Sequence, residues 1–251
     1  MRNRPYELWL IWQNVETRQR YHVGNLIHDN GTYTFYYEKK GNRRKLSEAL
    51  QNGYKPHLAF PDMDRVYKSD KLFGPFERRL PDKRRPDFDE LLKELGLPYD
   101  YTEMDLLRAT GGRLATDSYE FVAPIFIEGN HFDFDFYVAG WRYYEGDHII
   151  NQLKPDDHVR FDLHFDNPED DKAILVLTVS GYKLGYIPAF YSGFMFEVIQ
   201  KHCKYTAKIE SINPEGISQR KVNISVVGQL NKTINMDSVC YSNDTLQLIK
   251  Q

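Results

Sequence analysis

Cysteine is nearly absent: 251 residues hold only Cys203 and Cys240. Two thiols cannot build a disulfide framework or a cysteine-based zinc site. A reduced, cytoplasmic setting fits. In that setting the Asn-x-Ser/Thr triplets at Asn223, Asn231 and Asn243 carry no glycosylation meaning. Long apolar runs are lacking too. None approaches the ~20 residues of a membrane-spanning helix, so no membrane partner is expected. The opening Met1-Arg2-Asn3-Arg4-Pro5 has no apolar core of the kind a secretion signal needs. Catalytic signatures are missing as well. There is no phosphate-gripping glycine-rich loop and no kinase catalytic loop. Ser/His and Cys/His pairs have no motif around them, and the eight histidines show no ligand spacing. The expectation is a protein with no catalytic residues, no cofactor and no metal.

Aromatic residues are plentiful: 18 Tyr and 15 Phe favour β structure and leave rings to spare for stacking. The net charge of −3 conceals an asymmetry. Residues 1–118 carry 21 Lys and Arg against 18 Asp and Glu, whereas residues 119–251 carry 12 against 18. Sequence-independent nucleic-acid binding is driven by basic surface, and the second half is acidic.

The first half opens with strand-like runs at Tyr6–Trp12, Arg20–Ile27 and Thr32–Glu38. Asp29-Asn30-Gly31 lies between the last two, and Asn-Gly at such a place is a hairpin signal. A three-stranded antiparallel meander follows from this. The basic connector Lys39 to Lys45 reads either as a solvated loop or as a contact for phosphate or an acidic partner. Residues 53–67 are punctuated as loop. Pro86 to Gly96 reads as a short helix, with acids in its first turn and Phe88, Leu91, Leu92 and Leu95 on one face. Thr102-Glu103-Met104-Asp105 resembles a capping box that starts another helix, which stops at Gly111-Gly112.

A second domain is expected from Tyr119. Phe121–Glu128 reads as one strand. His131 to Phe136 alternates strictly, with the phenylalanines on one face and His131, Asp133 and Asp135 on the other. That polar row reads as a solvated face rather than a metal site. Asp147–Gln152 suggests a short helix. Asp157–Phe165 reads as a strand with Val159, Phe161, Leu163 and Phe165 on one apolar face, and Asn167–Asp171 as a polar turn. Ala173–Val179, Tyr182–Ile187, Tyr205–Ile212 and Val222–Val227 complete about six strands, with one good helix at Tyr191–His202. The expected fold class is α+β: a small N-terminal antiparallel sheet with helices, then a closed OB-like β-barrel with one or two helices. The expected domains are 1–118 and 119–230, with a polar tail at 231–251.

Three pieces of the second half, in this order, carry a resemblance. They are Phe136-Tyr137-Val138-Ala139-Gly140-Trp141-Arg142-Tyr143-Tyr144-Glu145-Gly146, then Phe165-Asp166-Asn167-Pro168-Glu169-Asp170-Asp171-Lys172-Ala173-Ile174, then Lys183-Leu184-Gly185-Tyr186-Ile187-Pro188. Together they resemble the HIRAN domain, a small β-barrel module that binds DNA. The resemblance implies a grip on the free 3′ end of single-stranded DNA. Arg142 falls where the family places a phosphate contact and Tyr143 where it places a base-stacking ring. Asn167 and Asp170 fall where it places polar groups reading the terminal nucleotide and its hydroxyl. A guanidinium forks onto phosphate, a Tyr face stacks on any base, and a carboxylate accepts a sugar hydroxyl's hydrogen. Asn167 and Asp170 also read as caps of their own turn. The sequence departs from the family pattern at three places. Glu169 stands where DNA-binding members carry an aromatic ring, Tyr186 where a histidine can occur, and Pro188 and Ala189 where lysines approach the phosphate. Glu169 works against DNA because a carboxylate repels it, and the two missing cations at Pro188 and Ala189 remove counterion release.

The first half is similar to the N-terminal subdomain of HipA-type toxins. The likeness rests on Val23-Gly24-Asn25-Leu26, Phe35-Tyr36-Tyr37, Phe76-x-x-Arg79-Leu80-Pro81, Arg85-Pro86-Asp87, and Thr110 to Asp117. It implies docking of a protein partner through residues 1–118. The leading expectation is a non-enzymatic DNA-binding protein. The alternatives are a regulatory interaction component of a toxin–antitoxin or defence system, and a metal-dependent nuclease using Asp157, Asp170 and Lys172.

Overall fold

The computed structural model describes residues 5–40 and 43–231. The chain divides into two compact units, Met1–Pro124 and Ile125–Gln251. The first unit is built on strands β1 (Tyr6–Gln13), β2 (Arg20–Asp29) and β3 (Thr32–Tyr37). The β2–β3 hairpin turns on Asn30 and Gly31, both at positive φ (46° and 78°). That is the backbone a two-residue hairpin demands, and Asn-Gly supplies it at low cost. Helix α1 (Leu46–Gln51), strand β4 (Tyr67–Ser69) and helices α2 (Gly74–Glu77), α3 (Phe88–Glu94) and α4 (Glu103–Thr110) follow, then β5 (Tyr119–Val122). The capping box at Thr102 is formed: its hydroxyl accepts from the Asp105 amide, and Asp105 returns the bond to the Thr102 amide. The expected meander is therefore the middle of a five-stranded antiparallel sheet, ordered β4-β3-β2-β1-β5. Its core face packs Leu8, Leu10, Tyr21, Val23, Phe35 and Phe121 against Phe60, Phe76, Met104 and Leu107.

Several conspicuous motif residues of this unit hold it together. Arg79 is buried, pairs with Asp117 and donates to the Gly112 carbonyl at 3.0 Å. The basic connector matches neither of its expected readings throughout. Lys39 pairs with Asp64 at the surface, but Arg44 and Lys45 are buried. Lys45 Nζ lies 2.7 Å from His22 Nδ1 and 5.0 Å from the Trp9 ring centre. Gly41 and Asn42 lie outside the described residues.

The strand expected over Phe121–Glu128 is two strands. Pro124 has no amide hydrogen to give a ladder. β5 ends before it and pairs with β1, while β6 (Phe126–Glu128) pairs with β7 (His131–Tyr137) in the second unit. The domain junction expected at 118/119 thus falls just before a strand of the first sheet. The polar tail expected from Asn231 lies, beyond Asn231 itself, outside the described residues.

The second unit continues with α5 (Gly146–Ile149), β8 (Val159–Leu163), β9 (Ile174–Thr178), β10 (Lys183–Tyr186), α6 (Ala189–Gln200), β11 (Lys204–Ile212) and β12 (Val222–Gln229). Alternation along β7 works as expected: Phe132, Phe134 and Phe136 are buried, and Phe134 and Phe136 pack near Tyr191 of α6. On the polar row His131 meets Gln229 at 2.8 Å, and Asn223 donates to Asp135 at 3.2 Å, so these side chains join β7 to β12.

Among the described residues the sheets of this unit are open, and the expected closed barrel is not seen. There are two open antiparallel sheets, β10-β9-β8 and β11-β12-β7-β6. A single residue pair bridges them at each side, Ala139 to Tyr186 and His158 to Lys208. Neither bridge extends into a ladder. Gly140 turns the chain away directly after Ala139 at φ 74°, and Asp156 kinks it just before His158 at φ 70°. β10 is also only four residues long and shifts register between Lys183 and Gly185.

Candidate nucleic-acid interface

The first piece of the candidate site is a tight turn hung on a tryptophan. Gly140 opens it and Trp141–Tyr143 forms a single 3-10 turn. Trp141 is buried, and its indole N–H donates to Asp147 Oδ1 at 2.7 Å. That bond, helped by Lys221 at 3.1 Å, holds the Asp147 carboxyl below its ordinary range. Gly146 is required because a β-carbon there would sit 2.4 Å from the indole. With Trp141 pinned inward, the next two side chains point out. Arg142 and Tyr143 are both exposed, Tyr143 to 68%. The guanidinium lies over the Tyr143 ring, 4.6 Å from its centre, and donates to its hydroxyl. One cation and one flat ring thus stand together at the surface.

The second piece is the turn between β8 and β9. Asn167 Oδ1 accepts from the amides of Glu169 (2.9 Å) and Asp170 (3.1 Å). Asp170 Oδ1 accepts from the Lys172 amide (2.9 Å), and Oδ2 accepts from the hydroxyl of Ser192 (3.0 Å), which is wholly buried in α6. Both residues therefore cap their own turn, and Asp170 also ties it to α6. The Asn167 backbone amide donates to the His164 carbonyl at 3.3 Å, while its side-chain nitrogen Nδ2 bonds no other described residue.

The third piece joins the other two. Tyr186 lies beside Ala139, with mutual backbone hydrogen bonds of 2.8 Å. Its hydroxyl takes a bond from Tyr144 (3.1 Å) and lies 2.8 Å from His164 Nδ1, while its ring stacks on that imidazole. Burial and this bond push the Tyr144 phenol up to about 12. Gly185 permits the approach: it sits at φ 144°, and a β-carbon there would lie 2.2 Å from the Ala139 carbonyl oxygen. Tyr186 connects the neighbour of Tyr143 to the residue that opens the Asn167 turn. In the sequence, Tyr144 and Tyr186 stand inside the quoted pieces without a site role, Tyr186 being marked as a departure, and His164 and Ser192 are not singled out at all. Their partners are far along the chain, so no local pattern marks them.

Phe165 was also misplaced. It was expected on the apolar face of a strand reaching from Asp157, but β8 ends at Leu163 and Phe165 is 64% exposed at the start of the turn. The nuclease constellation is split: Asp157 precedes β8 and Asp170 follows it. The six residue steps from 157 to 163, when extended, span about 20 Å. Among the described residues no group of three or more His, Cys, Asp or Glu could hold a metal ion. No helix among them is long and apolar enough to cross a membrane.

Residues 131–231 match the HIRAN domain model. The segment includes all three pieces and every residue of the candidate site. Comparison with curated proteins found no match. Among solved structures, a structural-genomics protein from Lactobacillus plantarum is similar at 18% identity, covering 39% of this chain and 92% of that one, with a TM-score of 0.34. The HIRAN domain of human HLTF is similar at 16% identity, covering 42% of this chain and 84% of that one, also with a TM-score of 0.34. The HIRAN match begins within the second unit, at β7, and ends at the last described residue.

Proposed function

We propose that the protein is a non-enzymatic DNA-binding protein whose HIRAN segment grips single-stranded DNA or its 3′ end. The observation that carries this reading is the exposed Arg142–Tyr143 pair, held outward by the buried Trp141 and tied through Tyr144 and Tyr186 to the Asn167 turn. A guanidinium against an aromatic ring suits a phosphate beside a base. The half-exposed side-chain amide nitrogen of Asn167 adds a donor for a base edge or sugar. Residues 1–118, by their likeness to HipA-type toxins, would dock a protein partner.

A second reading is favoured by two observations. Asp170 spends both carboxylate oxygens inside the protein, and the turn around it is acidic, with Asp166, Glu169 and Asp171. A regulatory interaction protein of a toxin–antitoxin or defence type, which has lost DNA, would tolerate both features. A titration of the whole protein with 3′-hydroxyl and 3′-phosphate single strands, at low and moderate salt, separates the two. The DNA reading expects binding, weaker for the phosphate-capped end if Asp170 faces the terminal hydroxyl. No binding at low salt would favour the second reading.

A further inference from the structure

Phe165 is the residue the proposed grip leaves unexplained. A phenylalanine has no polar atom that gains from water, and this one is 64% exposed. It is nonetheless held. Its ring meets the Phe196 ring of α6 edge to face, centroids 6.1 Å apart. Lys172 Nζ sits 5.1 Å from the centre of that same Phe196 ring. Phe165 follows His164, whose ring is stacked on Tyr186, so the chain on its N-terminal side is fixed as well.

The surroundings decide what an exposed ring here would meet. Asp166, Asn167, Glu169 and Asp171 share its turn, so Phe165, with the partly buried Phe196 ring against its edge, is a small apolar face in a polar setting. A protein partner that buries apolar surface needs a contiguous patch of it. A nucleobase does not. It has one flat face to stack and polar edges for hydrogen bonds, and Asn167 offers an amide nitrogen two residues away. Phosphate charge cannot be the main attraction at this turn. Its one lysine, Lys172, is paired with Glu197 at 3.4 Å.

We infer that Phe165 is a second base-stacking platform, acting with Tyr143, and that the HIRAN segment holds an unpaired strand mainly by stacking rather than by phosphate charge. This rests on the single-strand reading above and adds to it the residue and the dominant force. Removing one stacking ring weakens single-strand binding by roughly 5- to 150-fold. A strand held by one or two cations loses affinity slowly with salt, with a log–log slope of about −0.7 to −1.4.

The test uses the whole protein, an oligothymidylate, and an abasic strand of equal length and charge. Phe165→Ala should stay folded and lower the melting temperature only slightly, because most of the ring is exposed and its contact with Phe196 is at the surface. It should bind the oligothymidylate at least about 5-fold more weakly than the parent, and the abasic strand no differently. Phe165→Trp should bind the oligothymidylate at least as well as the parent, with added fluorescence that the bases quench. Equal binding of parent and Phe165→Ala to the oligothymidylate overturns the inference while leaving the single-strand reading intact. So does a parent that binds the abasic strand as well as the base-bearing one. A parent that binds neither strand overturns both.

Discussion

At the scale of single residues, the roles of Ser192 and Asp170 can be separated by experiment. The Ser192 hydroxyl is buried and donates to Asp170 Oδ2 at 3.0 Å. Ser192→Ala leaves that oxygen without its buried partner and should cost about 1–2 kcal/mol of stability, read from denaturant midpoints. His22 gives a second prediction. It is enclosed between Trp9, with ring centres 4.3 Å apart, Asn25 Oδ1 at 2.8 Å and Lys45 Nζ at 2.7 Å. Burial first, and then the Lys45 charge, hold its pKa well below the usual 6.5. The unfolded chain takes up a proton below about pH 6.5 that the folded chain refuses. The stability His22 contributes is therefore present above pH 6.5 and is lost as pH falls, by at most about 1.4 kcal/mol per pH unit. His57, also lowered by burial and next by Arg79, acts in the same direction. Urea midpoints should fall between pH 7 and pH 5. His22→Gln, which does not titrate, should make that fall shallower; an unchanged descent would refute the role given to His22. None of this was legible in the sequence, because the partners of His22 are decided by which face of β2 is enclosed. Phe165 was misread for a related reason: alternation continues past Leu163, but the ladder with β9 does not.

Secondary elements were easier to read than their assembly. The Asn30-Gly31 hairpin, the Thr102 capping box, the alternating β7 and the helix near Tyr191 are marked by short-range chemistry, and all are present. The split of the strand is marked locally by Pro124, which the apolar run around it conceals, but the open sheets are not marked in that way. They depend on where single residues such as Gly140 and Asp156 turn the chain out of register with a distant strand. Gly185 is the position where this dependence is sharpest. Its backbone lies against Ala139 in a conformation that other residues rarely adopt, and an added methyl would overlap the Ala139 carbonyl. Gly185→Ala should break the Ala139–Tyr186 bridge and with it the link between Tyr144 and His164. A loss of about 3 kcal/mol is expected, from overpacking and strain together. If the variant keeps the parent midpoint in urea, that bridge does not hold the two sheets together as described.

Across the whole molecule, the excess of positive charge and the candidate interface lie in different parts of the chain. Several of the basic residues in 1–118 are engaged: Arg79 with Asp117, Arg20 and Arg113 with Glu120, and at the surface Arg84 with Asp82 and Arg85 with Asp87. An engaged cation releases few counterions to a strand, so a positive count is a poor guide to where DNA would sit. The acidic second unit instead presents exposed rings at Tyr143, Phe165 and Tyr182, and the segments of Tyr143 and Phe165 are joined through Tyr186. If stacking places the strand, bound oligothymidylate should slow amide hydrogen exchange at residues 140–146 and 164–172. Residues 5–124 should exchange as in the free protein. Stacking also predicts that Tyr143→Ala and Phe165→Ala each weaken binding by several-fold and together by about the product, provided the two rings hold different bases. Protection concentrated in the first unit, with both ring variants binding like the parent, would move the interface to the basic half and leave the HIRAN segment without a nucleic-acid role.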